Sequence, residues 1–397
     1  MLSGSNGSNN NIKLITAPGF ANDIVDEIKD ELPSLLKVYI DDSCEWEINH
    51  VTDSLTGSTG NSRQILESIL ENIKEGDKDY LICLTDLPLF HNKKVVVSEA
   101  YEEENIAILS LPGLGSTPMV KRIRSSIIQL VSEMYFGSSD QDREQAEKRL
   151  KDKIKEDGKT GLKLVDGQII AGHKGFEKFS PIRRETPQNG EQNIDVRFTI
   201  PSKILGAIRI LTGMVRANRP WRMFPAFVKV LVVAFATGSY AVVFPTIWKH
   251  TSNYDLWRLI TLTVVAILAM ILWVMAAHKL WEKPYSKTNN RLRMLYNIAT
   301  LFTLLISVTL FYLNLFLMFL VAVFLFIPLE TLELQIGESA TYVSYIYIAW
   351  TITSFATIIG GLGTALESEE TILTGTYGYR QRQRYEYLKE KKDEEEE

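Results

Sequence analysis

Four long apolar runs dominate the C-terminal half of this 397-residue chain: Ala226 to Trp248, Leu259 to His278, Ile298 to Ile327 and Tyr342 to Gly361. A bilayer hydrocarbon core is ~30 Å thick and a helix rises ~1.5 Å per residue, so about 20 apolar residues make one crossing. The sequence therefore predicts an all-α transmembrane domain of four helices over 223–364, with spans at about 226–248, 259–278, 298–327 and 342–361.

Loop charge sets the orientation. Lys203, Arg209, Arg216, Arg219 and Arg222 precede the first run, and Lys279, Lys283, Lys287, Arg291 and Arg293 follow the second. The loop after the first run holds only Lys249 and Arg258, and the one after the third holds Glu330, Glu333 and Glu338 without Lys or Arg. The tail is basic again at Arg380, Arg382, Arg384, Lys389, Lys391 and Lys392. Positive-inside bias then puts both termini in the cytoplasm of a multi-pass plasma-membrane protein, which requires an even number of crossings. Splitting the third run near Asn314 would give five, so it reads as one long, tilted helix. Trp221, Trp248, Trp257, Trp281 and Tyr285 fall at the run ends, where amphipathic rings prefer the headgroups.

Ion pathways usually place Asp, Glu, Lys or Arg inside the spans, and none is central here. Asn314, Thr237 and Ser239 would have to line any solute path, but such side chains more often serve helix packing. A membrane anchor, compatible with a homo-oligomer, ranks above a transporter.

Ahead of the spans the chain is charged and loop-rich. Its formal net charge is -5 with no basic cluster in that half, which argues against a nucleic-acid partner. The two cysteines, Cys44 and Cys83, lack metal-site spacing and fit a reducing compartment. "MLSGSNGSNNN" has no basic stretch leading into an apolar core, so it is no secretory signal, and 1–10 reads as a disordered N-terminus.

Over 11–137, four short apolar segments, "IKLITAP", "WEINHVTD", "YLICLTD" and "IAILSLP", alternate with helical patterns at Asn22 to Leu36, Ser62 to Glu75 and Thr117 to Tyr135. Strands alternating with helices predict a cytosolic α/β domain, a Rossmann-like sandwich on a mostly parallel sheet. "KKVVVSEAY" reads as an added edge strand or hairpin. The segment 138–200 reads as a solvated charged helix followed by a β-hairpin insert or linker turning at Asp166-Gly167. Residues 201–222 read as a basic amphipathic helix suited to the membrane surface, with Ile204, Leu205, Ile208, Leu211, Met214 and Val215 at helical spacing. A helix packed on the soluble domain is the competing reading. The tail, 365–397, is a charged cytosolic extension.

In a parallel sheet the strand ends share one edge, where open α/β folds bind ligands. That edge would collect Thr16, Pro18, Gly19, Asp53, Thr85, Asp86, Gly113, Gly115, Ser116 and Thr117. Gly113 and Gly115 would let the backbone approach an anionic small molecule, with Ser116 or Thr117 as N-cap and Pro118 in the first helical turn. Lys121, Arg122 and Arg124 follow on that helix. Asp53 and Asp86 would pair at neighbouring strand ends, while His50 and His91 stand alone. "LPGLGSTPM" lacks the third glycine of a dinucleotide fingerprint and the Gly-Lys-Ser/Thr of a P-loop. No GxSxG, HExxH or kinase-like set occurs, and no cofactor is indicated.

"APGF", "ICLTDLPLF", "LPGLGS" and the tail "TYGYRQRQR" resemble a family of bacterial membrane proteins with a cytosolic α/β head and a multi-span C-terminal region. Some relatives in that family carry a methylene-tetrahydrofolate dehydrogenase label. Leu87-Pro88-Leu89, Pro112-Gly113-Leu114-Gly115 and Pro118-Met119 look similar to motifs of the soluble folate enzymes. Those enzymes place a whole nucleotide-binding domain between the motifs, whereas about two dozen residues separate them here. Their Tyr-x-x-x-Lys pairing is absent from the soluble domain, and Thr85-Asp86 stands where they have glutamine. No catalytic residue carries over. The sequence thus favours a non-catalytic sensor, regulator or scaffold over an enzyme acting on a nucleotide- or folate-like substrate, with a small-solute transporter third.

Overall fold

The computed structural model describes residues 9–53, 65–66, 79–156, 182–187, 194–221, 227–282, 290–337 and 339–363. They divide into two compact units between Ala217 and Asn218.

In the first unit one mixed sheet contains β1 (Asn9–Thr16), β2 (Glu45–Thr52), β3 (Tyr80–Thr85), β4 (Leu89–His91), β5 (Lys94–Tyr101), β6 (Ile106–Ser110), β7 (Arg183–Glu185) and β8 (Val196–Ile200). Its order is β2-β1-β3-β6-β5-β8-β7, with β4 paired to β5. The run β2-β1-β3-β6 is parallel, as expected from the alternation of strands and helices. The rest is antiparallel. Side-chain pattern matches position. At the edge, β2 alternates exposed Glu45 and Glu47 with buried Trp46, whereas the interior strands β3 and β6 are apolar almost throughout.

Three sequence expectations change here. First, β1 starts at Asn9, so Asn9 and Asn10 belong to the sheet: they pair with Glu45 and Trp46, while Asn11 bonds Asp79 and Asn49. Second, β5 pairs antiparallel with β4 as the hairpin reading has it, but it is no edge, because β6 and β8 flank it. Third, β7 and β8, drawn from the segment read as insert or linker, are strands of the main sheet. The turn expected at Asp166-Gly167 lies outside the described residues. Between β5 and β8 the cross-strand partners Glu99 and Arg197 form a buried ion pair, Nε to Oε1 2.6 Å. Arg184 on β7 is likewise buried against Glu133, at 2.9 Å.

The helix expected over 22–36 is two helices, α1 (Phe20–Ile28) and α2 (Leu32–Tyr39). Pro33 has no N–H to give to a continuing helix and fits only the first turn, so it sits there in α2. Then come α3 (Met119–Phe136), α4 (Asp140–Glu156) and α5 (Lys203–Asn218). Gly137, at φ 97, ends α3, and the Ser139 hydroxyl caps α4 by accepting the Asp142 N–H at 3.2 Å. Of the helix expected over 62–75 only Ile65 and Leu66 are described. Both are helical and buried in a cluster with Ile15, Leu81, Cys83, Ile106 and Ile108.

The second unit contains α6 (Val228–Val243), α7 (Pro245–Ser252), α8 (Leu256–Ala277), α9 (Asn290–Phe326), α10 (Leu329–Ile336) and α11 (Tyr342–Gly363). Three segments, Leu256–Ala277, Leu292–Phe326 and Tyr342–Leu362, are long and apolar enough to cross a membrane, and they become four if α6 and α7 form one span. That first run is not straight: its two helices meet at 82°. The residue before a proline avoids the helical region, and Phe244 accordingly takes ψ 109. Trp248, expected among the headgroups, is instead 5% exposed, and its indole donates to the Val242 carbonyl at 3.1 Å. That bond serves a carbonyl the broken helix leaves unpaired. Trp221, Trp257 and Trp281 are exposed, and Tyr285 lies outside the described residues. The third run is one unbroken helix through Asn314, 37 residues and so about 55 Å long.

Small residues bring the helices close. A Cβ on Gly360 would stand 2.8 Å from that of Ala234, and one on Gly238 would stand 2.9 Å from that of Ala356. Asn314, Thr237 and Ser239 do not line an interior path. Asn314 is exposed and donates to Leu310 O, and the two hydroxyls bond carbonyls of their own helix. The interior polar chain is a different set: Trp350 Nε1 donates to Thr263 Oγ1 at 2.6 Å, Thr263 meets Tyr312 OH at 3.0 Å, and Tyr312 meets Ser354 Oγ at 2.8 Å. It links α8, α9 and α11.

Candidate functional site at the strand ends

The parallel strands finish level with one another. Thr16 is in register with Thr52, and Thr85 with Ser110. The pairing runs one residue further, through Asp53 N–H to Thr16 O (2.9 Å), Ala17 N–H to Leu84 O (3.1 Å) and Leu111 N–H to Thr85 O (2.9 Å). The four following loops leave from a single edge.

Several of the expected ligand contacts are committed within the protein. Thr85 Oγ1 accepts the Leu87 N–H at 3.2 Å and Ser110 Oγ donates to Leu87 O at 2.7 Å, tying the Asp86-Leu87 turn to β6. Thr85, Asp86 and Ser110 are all buried. Asp53 and Asp86 are not at neighbouring strand ends, because β1 lies between β2 and β3. At ~4.8 Å per strand that spacing is about 10 Å, too wide for two carboxylates to share one small cation.

His50 is not isolated. Its Nε2 meets Thr16 Oγ1 at 2.9 Å and its Nδ1 meets Asp26 Oδ1 at 3.3 Å. Asp26 also accepts from Lys29 at 2.8 Å and Asn22 at 3.1 Å, and Thr52 Oγ1 donates to Asn22. The Lys29 ammonium, with His50 behind it, holds the Asp26 carboxyl below its ordinary value. Hydroxyl, imidazole and carboxylate in series suggest nucleophilic catalysis, but Thr16 is wholly buried. The chain fastens α1 across the ends of β1 and β2. Pro18 and Gly19 follow β1, and Gly19, at φ 100, precedes α1 with no atom within 4 Å of where a Cβ would stand. His91 bonds its neighbour Asn92 at 2.8 Å.

"LPGLGSTPM" folds as a 3-10 turn, Pro112–Leu114, leading to α3. Gly113 spends its small size on the protein: a Cβ there would lie 3.1 Å from the Val97 Cα and 3.2 Å from the Val96 carbonyl oxygen of β5. Gly115 differs. It has φ 79, and a Cβ on it would meet Arg209 Cγ at 2.9 Å and Arg122 Nη1 at 3.2 Å. Both arginines donate to one acceptor, the Leu114 carbonyl: Arg122 through Nη1 at 2.6 Å, Arg209 through Nε at 3.1 Å. Arg122 Nε is buried without a hydrogen-bond partner.

Among the described residues no carboxylate lies within ion-pair distance of either guanidinium. Burial, then the neighbouring Arg122 charge, brings the Arg209 pKa down to about 10, and burial also lowers that of Arg122. Arg124, by contrast, is paired with Glu31 at 2.5 Å. Helix α3 begins at Met119 with Pro118 as N-cap and no side-chain cap bond, so neither Ser116 nor Thr117 caps it. Those two hydroxyls lie at the surface, 3.4 Å apart.

Of the two sequence readings of 201–222, a membrane-surface helix and a helix packed on the soluble domain, the second describes the face that carries Gly206 and Gly213. The structure packs α5 on the sheet unit through Gly206, Ile210, Gly213 and Met214, which swings Arg209 onto Gly115. Gly206 and Gly213 were the available signal, since two glycines inside a helical pattern mark a close approach.

No protein-family model, curated protein or solved structure matches the chain. Among the described residues no group of three His, Cys, Asp or Glu is placed to hold a metal ion.

Proposed function

We propose that this is a plasma-membrane protein of four spans, with both termini in the cytoplasm, whose Rossmann-like sheet unit binds an anionic small molecule at the strand-end edge without chemistry of its own. The observation that carries the ligand reading is the unmatched pair Arg122 and Arg209 at the end of β6, on the edge where all four parallel strands finish. Two guanidiniums held together without a carboxylate raise the energy of the empty site, and an anion removes that cost. Membrane residence rests on the apolar helices of the second unit. The outward side of α5 supports it: Ile204, Leu205 and Ile208 are 74%, 53% and 54% exposed, beside exposed Lys203, a composition suited to an anionic headgroup layer. The resemblance to bacterial membrane proteins with a cytosolic head points the same way.

Thermal unfolding of the full chain against nucleotides, folates and phosphorylated metabolites tests the ligand reading. A true ligand at a hundredfold excess over Kd adds ~2.7 kcal/mol of stability, and silence from every class removes the reading. Cysteine labelling from either side of the membrane tests the topology, because Cys44 and Cys83 are buried and contribute little background. A cysteine at Glu333 is expected to label from outside and one at Tyr379 from inside.

A further inference from the structure

We infer that Arg122, Arg209 and the start of α3 form a subsite for a phosphate monoester dianion, an inference that rests on the ligand-binding reading above. Gly115 brings the two side chains together on the backbone: a Cβ there would stand 2.9 Å from Arg209 Cγ and 3.2 Å from Arg122 Nη1, so only glycine lets both arginines pack against this turn. Each arginine spends one N–H on Leu114 O, which anchors both guanidiniums and leaves further donors on each for a ligand. The first amides of α3 add partial positive charge, since no side chain caps them. The Ser116 and Thr117 hydroxyls, 3.4 Å apart in the residues just before α3, are further donors. Two full positive charges without a carboxylate match a doubly charged oxyanion better than a carboxylate. The donors named here address the phosphate itself, whether on a soluble metabolite or on a phosphatidic-acid headgroup.

The test uses the full chain in phosphatidylcholine nanodiscs, titrated with glycerol 3-phosphate and, as a monoanion control, acetate. Glycerol 3-phosphate is expected to bind at least ~10-fold more tightly than acetate, and to weaken below about pH 6 as the phosphate takes its second proton. Arg122→Gln and Arg209→Gln should each weaken it ~10-fold or more, with Arg122→Lys retaining part of the affinity. Arg209→Glu provides a readout without ligand: it places a carboxylate beside Arg122, so it should abolish binding while raising the unliganded unfolding midpoint. Nanodiscs doped with phosphatidic acid separate the sources. Loss of the soluble response assigns the site to lipid, and an undiminished response assigns it to a metabolite.

Binding that survives both glutamine variants overturns the inference, as does a lower unliganded midpoint for Arg209→Glu. A stabilising response to tetrahydrofolate that persists in both variants overturns it while leaving the strand-edge reading intact. No binding from either phosphate source overturns it as well.

Discussion

Gly213 of α5 lies against Pro112 of the loop after β6 so closely that a Cβ on the glycine would stand 2.8 Å from the Pro112 Cα. Backbone cannot yield as a side-chain tip does. In a free helix Gly213→Ala would stabilise by up to ~1 kcal/mol, whereas here the added methyl should force α5 off the loop at a cost of ~1–3 kcal/mol. The sign of the change in unfolding free energy decides between a docked and a free α5. Amide exchange over Leu111 to Pro118 should rise with it.

Glu99 and Arg197 pair across β5 and β8 at 1% and 4% side-chain exposure. Glu99→Leu alone leaves a buried cation and is expected to cost ~3–5 kcal/mol, while the double replacement with Arg197→Met should recover most of that loss. Chemical denaturation of both single variants and the double yields the coupling energy.

Asp41 accepts from Ser43 Oγ at 2.6 Å, Ser43 N–H at 2.9 Å and Tyr135 OH at 2.6 Å. These bonds, the Ser43 hydroxyl foremost, bring its pKa from 3.8 down to about 2. A lowered carboxylate stabilises the fold above its unfolded value, so the contribution is complete above about pH 4 and is lost as pH falls towards 2. Midpoints measured from pH 7 to pH 2 should show an acid limb that Asp41→Asn flattens.

Trp248→Phe keeps the ring buried at the α6 to α7 bend and deletes only the bond to Val242 O. The orphaned carbonyl should cost about 1 kcal/mol. Unfolding in detergent micelles checks it, and an unchanged midpoint would mean that Pro245 alone maintains the 82° bend.

What the sequence determined by itself is whatever local pattern enforces. The interior strands are legible because β3 and β6 are unbroken apolar runs bounded by turns, and the helices long and apolar enough to cross a membrane because a run of about 20 apolar residues stands out in any sequence. Even the break at Pro245 follows from proline's missing N–H, which a count of apolar residues overlooks. The candidate site was half legible. The glycines and hydroxyls of "LPGLGSTPM" could be read, but only tertiary structure decided which of them face outward. Strand order separated Asp53 from Asp86 by a whole strand. Arg209 lies 95 residues from Leu114 in the chain, and no periodicity within α5 could show which partner its glycine face would meet. Helical spacing defines a face but not what covers it, because that depends on packing between segments far apart in sequence.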